Sequence, residues 1–273
     1  MFEAIILGII QGLTEFIPIS SSAHIRLAGE VFPNAIDPGA MFTAITQIGT
    51  ELAVLIYFRK DIARIISAWV SSLTDKSARN QDSKMGWLII VGSVPIVVIG
   101  YLAQDYITNE LRSLWIIATM MVVFGLLLGA ADRFGAKTKE LSQLNVKHGI
   151  LYGLAQSLAL IPGVSRSGAT IAMGRYLGYS REAALRYSFL LALPAVFGSG
   201  FYQLKSALSD NQVAVYSLSE TLVATLIAFV VGYLVIAWLL KFVTTKSFAP
   251  FIIYRVALGT TVLVLLASGV LQP

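Results

Sequence analysis

The sequence contains no cysteine. That excludes disulfides, thiolate metal ligands and cysteine nucleophiles, and it leaves the redox compartment unreadable. Charge is scarce as well: Asp, Glu, Lys and Arg together make up 13% of the residues, and histidine occurs twice. No His/Cys cluster of zinc type exists. Met1-Phe2-Glu3 lacks a basic n-region, and no small-residue cleavage site follows it. No signal peptide is expected. The net charge of +5 points to no nucleic-acid partner, because in an apolar chain the distribution of basic residues matters more than their sum.

Apolar residues fill the space that charge leaves, at 56%. Several runs reach the roughly 20 residues that span a bilayer, so an all-α polytopic membrane protein with a single integral membrane domain is expected. The first run, residues 4–17, is too short to span; it breaks at Pro18-Ile19-Ser20-Ser21-Ser22, and a second short piece follows. Such a pair predicts a re-entrant hairpin, tolerated at membrane depth only where protein or a watery cavity surrounds it. Pro33 and Pro38 mark the turn that follows. Three full spans are expected at 40–58, 85–103 and 113–131, with an interfacial helix over 62–73. The pattern then repeats. A short apolar run, 148–161, breaks at Pro162 and resumes to Leu177, and three more spans follow at 183–202, 218–240 and 251–268.

Aligning Pro18 with Pro162 pairs the two breaks, and a one-residue slip before the proline also pairs Gly8 and Gln11 with Gly153 and Gln156. A hairpin plus three spans is an odd number of crossings. The second repeat (about 145–273) is therefore expected to be inverted relative to the first (about 1–135), an architecture that places its site near the midplane. Basic residues at 59–84, 133–147, 175–186 and 241–246 fall on one side of this topology. The other side has little beyond Arg26, Arg112 and Lys205. The basic side is expected in the cytoplasm.

The chemistry-bearing residues gather at the two breaks. Arg166, in Pro162-Gly163-Val164-Ser165-Arg166-Ser167-Gly168-Ala169-Thr170, costs roughly 2.5–3.5 kcal/mol to insert and so needs a reason. Hydroxyls and glycines around a guanidinium can cradle an anion, and Arg grips phosphate bidentately. At the first break Gln11 and Glu15 share one helix face, as do Ser21 and His24. Ser20 or Ser21 is a natural N-cap whose helix points free N–H groups at the break. Each residue alone reads more readily as structural, but their meeting at two facing breaks favours a site. Glu15 and Gln11 offer hard oxygen ligands, too few for a closed cage, which suits Mg²⁺ or Ca²⁺ held partly by substrate phosphates. Gln47 and Glu51 share a face of the first full span and carry less weight. Arg255, near the cytoplasmic end of the last span, is expected to snorkel.

The stretches Gln11-Gly12-Leu13-Thr14-Glu15-Phe16-Ile17-Pro18-Ile19-Ser20-Ser21-Ser22-Ala23-His24 and Pro162 to Thr170 closely resemble the two signature motifs of the undecaprenyl-diphosphate phosphatase (bacitracin-resistance) family. The family writes the first as Glu or Gln, three residues, then Glu, leading into Pro-x-Ser-Ser and a His. It writes the second as Pro-Gly-x-Ser-Arg-Ser-x-x-Thr. Gln11 is the one departure, since many members carry Glu there, and it removes one possible metal-ligating carboxylate. The resemblance implies hydrolysis of a C55 isoprenoid diphosphate to the monophosphate, so that the carrier lipid is reused in peptidoglycan synthesis. It also implies a divalent cation, a homodimer, and a site open to the outer face of the bacterial plasma membrane.

On this reading Arg166 clamps phosphoryl oxygens, with Gln11, Ser20, Ser22, Gly163, Ser165, Ser167, Gly168 and Thr170 as further substrate contacts. Ser21 is the expected nucleophile, with His24 or Glu15 as its base. Direct attack by water, activated by His24 or by a metal held by Glu15, is the rival, and Ser20 or Ser22 could replace Ser21. A flippase for a phosphorylated lipid is the competing function. It would need no Ser21, His24 and Glu15 together.

Overall fold

The computed structural model describes residues 1–32, 37–103, 106–107, 111–136, 138–209 and 215–272. Pro33, Lys137 and most of the 104–112 connection lie outside the described residues. Short apolar runs become short helices: α1 (Phe2–Thr14) and α2 (Ser21–Val31) flank the first break. Then come α3 (Gly39–Tyr57), α4 (Arg59–Thr74), α5 (Gln81–Leu102) and α6 (Leu114–Phe134). The second half begins with α7 (Val146–Ser157) and α8 (Arg166–Tyr176) around the second break, followed by α9 (Arg181–Ser209), α10 (Leu218–Thr245) and α11 (Ala249–Ala267). Five of these helices, α5, α6, α9, α10 and α11, are long and apolar enough to cross a membrane. There are six if α3 and α4, bent by 80° at their junction, count as one span.

Polar residues set the helix starts. Asn80 and Ser83 form a reciprocal capping box at α5, and Ser217 and Glu220 form one at α10. Each satisfies amide groups that a helix end leaves open. The bend at Phe58 turns α4 away from α3. It buries Ile65 while Arg59, Lys60 and Arg64 stay exposed, as an interfacial helix requires.

Packing exchanges partners between the halves. The short helix α1 lies on α10, and its counterpart α7 lies on α5; α3 meets α10, and α9 meets α5; α6 pairs with α11. The first two contacts depend on close backbone approach. A Cβ on Gly8 would lie 2.6 Å from the Ala224 carbonyl oxygen, and one on Gly153 would lie 2.3 Å from that of Gly92.

Ion pairs brace both ends of α6. At its start Arg112 makes a fork of bonds, 2.6 and 2.8 Å, to Asp37, and Arg26 stands 3.7 Å away. Burial raises the Asp37 pKa, but hydrogen bonding and charge from Arg112, with help from Arg26, outweigh it and hold the carboxyl below its usual range. At the other end Asp132 takes bonds from Arg175 and Arg181, and a longer one of 3.4 Å from the Phe248 amide.

A Gly153→Val protein is expected to lose about 1–3 kcal/mol through overpacking. A Gly129→Ala protein, whose new methyl would sit 3.4 Å from Ile252, is expected to unfold with the wild type. Thermal unfolding in detergent reads both.

Candidate active site

The two helix breaks share one local conformation. Ser20 and Ser165, the N-caps of α2 and α8, have φ of 76° and 69°, the only positive values outside glycine among the described residues. Ser20 Oγ lies 3.2 Å from Ser22 Oγ, and Ser165 Oγ lies 3.2 Å from Ser167 Oγ. The same register that pairs Gly8 with Gly153 and Gln11 with Gln156 therefore runs on through the breaks. This corrects the proline-to-proline alignment by one residue: Ser20 corresponds to Ser165, Ser21 to Arg166 and Ser22 to Ser167. Backbone held in so sparse a region costs of order 1–3 kcal/mol and needs surroundings that enforce it.

Those surroundings are the other break and one arginine. The Gly163 amide reaches Ser22 Oγ at 3.4 Å, and Ser167 Oγ donates to the Glu15 carbonyl at 3.2 Å. Gly163 sits at φ 93°, and a Cβ there would lie 2.3 Å from the Ile117 carbonyl oxygen of α6. Arg255 of α11 is 0% exposed. It donates to the carbonyls of Pro18 at the first break, Gly163 and Val164 at the second, and Met121 on α6, all at 2.9–3.1 Å. The snorkelling expected of Arg255 is thus wrong: it is a buried clasp on both tips.

At the centre Ser21 Oγ donates to Glu15 Oε2 at 2.6 Å, and Gln11 Nε2 donates to the same oxygen at 2.8 Å. Arg166 Nη2 donates to Glu15 Oε1 and to Glu51 Oε1, each at 2.6 Å. One guanidinium thus joins the second break to the first and to α3. Removing one partner from such a buried group typically costs about 3–5 kcal/mol. A cavity of about 500 Å³ opens from this centre. Glu15, Ser21, Ser22, Ser165 and Arg166 line its polar end, while Ile96, Val97 and Gly100 of α5 and Val196 of α9 form an apolar wall.

Other expected site residues stand further back. His24 is not Ser21's partner. Its Nδ1 meets the Ser20 carbonyl at 2.7 Å, so Nδ1 carries the proton, and Nε2 accepts from the Tyr254 hydroxyl at 2.9 Å. Thr170 is buried, with its hydroxyl on the Arg166 carbonyl and 2.5 Å from Ser188 Oγ. The Gly168 amide is taken by Ser165 Oγ at 3.1 Å. Glu51, which carries little weight in the sequence, stands at the centre. Its signal was the shared helix face with Gln47, which itself lines the cavity.

Fold and site define a class: a polytopic helical membrane protein whose broken helices meet at a buried Ser–Glu–Arg centre. The family model described as bacitracin resistance protein BacA matches residues 4–261. An undecaprenyl-diphosphatase of Paenarthrobacter aurescens (strain TC1) is 60% identical over 272 residues, 99% of this chain and 98% of that protein. One from Micrococcus luteus is 61% identical over 272 residues, again 99% and 98%. Undecaprenyl-diphosphatase 2 of Agrobacterium fabrum (strain C58) is 59% identical over 272 residues, 99% of this chain and 97% of that protein. The chain belongs to the BacA bacitracin resistance protein family.

An Arg255→Met protein is expected to be destabilised, since each buried carbonyl left unpaired costs about 1–3 kcal/mol. Arg255→Lys is expected to rescue little, because a single ammonium cannot reproduce the planar fork. Hydrogen exchange resolved to residues 17–24 and 161–168, with the unfolding midpoint, checks both.

Proposed function

We propose that this chain hydrolyses undecaprenyl diphosphate to undecaprenyl phosphate and inorganic phosphate in the bacterial plasma membrane, recycling the carrier lipid for peptidoglycan synthesis and conferring bacitracin resistance. The observation that carries this reading is the unbroken run of short bonds Ser21–Glu15–Arg166 at the polar end of a cavity with an apolar wall. The names of the relatives agree with it.

The geometry suits phosphoryl transfer, which needs positioning and charge neutralisation more than covalent chemistry from the protein. The N-termini of α2 and α8 both point at the centre and favour negative charge there. Arg166 takes the terminal phosphoryl oxygens, and the hydroxyls of Ser22 and Ser165 flank them. Glu15, already bonded to Ser21 Oγ, serves as the base in preference to His24. It takes the Ser21 proton as Oγ attacks the terminal phosphorus. The bridging P–O bond breaks, and the proton passes to the departing lipid phosphate. Glu15 then takes a proton from water as its oxygen attacks the phosphoserine, and returns that proton to Ser21 Oγ. Direct attack by water would yield the same products without the phosphoserine.

A divalent cation fits the donor set. Glu15 supplies a carboxylate, and Gln11 Oε1 is a buried oxygen with no partner among the described residues. Among the described residues no group of three or more His, Cys, Asp or Glu is placed to hold a metal. The remaining ligands would come from the diphosphate, as is usual for Mg²⁺. When bound, the cation supplies charge neutralisation to the phosphates.

The exchanged helix partners support reading the halves as inverted repeats. The distribution of basic residues supports a cytoplasmic α4 side and a site that opens outward. The homodimer rests on the family resemblance.

Phosphate release from undecaprenyl diphosphate by purified protein, with Mg²⁺, Ca²⁺ or a chelator, tests the reading. Cation-dependent release is expected to fall by at least about 100-fold in Ser21→Ala and Arg166→Ala. A folded wild type that releases none would instead favour the flippase, and liposome flipping would be measured next.

A further inference from the structure

Glu51 lies outside both breaks, on α3, and is fully buried. Its Oε1 takes one of the two Nη2 hydrogens of Arg166, and Glu15 takes the other. A guanidinium offers two bidentate edges, Nη1/Nη2 and Nε/Nη2, and both include Nη2. A phosphoryl group can therefore be gripped by two parallel bonds only after one carboxylate lets go.

The two carboxylates differ in what they would keep. Glu15 retains the Ser21 hydroxyl and the Gln11 amide, both on Oε2. Among the described residues Glu51 retains nothing: its Oε2 is buried without a partner, and Arg166 is the only donor to Oε1. Releasing Glu51 would leave a fully buried carboxylate with no donor, the costlier outcome. Glu15 is the one that gives way.

We propose that Glu51 is the fixed anchor of Arg166, a positioning residue that holds the guanidinium in the cavity while the substrate's phosphoryl group replaces Glu15 on Nη2. This rests on the phosphatase reading. It also accounts for the departure at position 11. The second carboxylate near Glu15 comes from α3, and Gln11 donates to Glu15, which an ionised glutamate could not do, so Glu15 stays placed for Ser21 during the exchange.

The test measures phosphate release from radiolabelled undecaprenyl diphosphate by the full-length protein. Glu51→Gln and Glu51→Ala are made in the wild-type and Arg166→Ala backgrounds, with unfolding midpoints recorded. Glu51→Ala is expected to lower kcat/KM by at least about 30-fold. Glu51→Gln, whose amide oxygen still accepts from Nη2, is expected to recover to within about fivefold of wild type. In the Arg166→Ala background neither change should cost anything further, because the two residues act as one unit. Three results would each overturn the anchor: Glu51→Ala as active as wild type, Gln no better than Ala, or additive losses beside Arg166→Ala. A wild type that releases no phosphate overturns the phosphatase reading itself; an active wild type indifferent to Glu51 overturns this inference alone.

Discussion

Backbone groups freed where a helix breaks inside a membrane have no water to turn to, and the whole centre of this protein answers to that constraint. Arg255 meets much of it by offering one rigid fork of donors to carbonyls of both breaks and of α6. The clasp fixes the two tips against each other. Only then can Ser20 and Ser165 be held at positive φ, and only then do the first turns of α2 and α8 converge. Gly163 belongs to the same arrangement, since any side chain there would collide with the α6 backbone.

A second layer of polar bonds rests on the first. Arg166 starts α8, Glu15 follows α1, Ser21 starts α2, and Glu51 lies midway along α3. These four side chains are joined by three charge-assisted bonds, each 2.6 Å long. Such bonds are stronger than neutral ones and, in a low dielectric, costly to leave unmade. The apolar wall of the cavity lies on α5 and α9, helices that contribute no charge to the centre but shape a lipid-compatible approach to it.

Helix existence and order were legible in the sequence because hydropathy is a local property: each expected span overlaps a helix of the structure. The two breaks were legible too, since proline, glycine and serine act on their own backbone. What could not be read were contacts set by packing. Arg255 sits close to the start of its span, where snorkelling is the usual outcome, and nothing local shows that α11 lies on α6 with both tips within reach. Glu51 looked like one of several polar residues on an apolar helix. Its meaning came from Arg166, 115 positions away. His24 shared a helix face with Ser21, yet helical spacing alone cannot say that the imidazole turns to Tyr254. The proline match set the repeat register wrongly by one residue, because proline marks a break without specifying which residue adopts the strained φ.

The corrected register carries its own physical argument. It makes Ser21 and Arg166 equivalent positions, each the first residue of a helix that begins at a strained serine. A residue at that position is delivered to the centre by the backbone whatever its side chain, because the N-cap conformation and the Arg255 clasp fix its Cα. Two loops of matching conformation therefore bring two side chains to one carboxylate. The two side chains differ in length and charge: Ser21 is a short hydroxyl, and the long guanidinium of Arg166 reaches both Glu15 and Glu51. Identical side chains at the two positions would supply two clamps or two hydroxyls. Divergence at a single matching position is what places a hydroxyl and a guanidinium on the two oxygens of one carboxylate, Glu15.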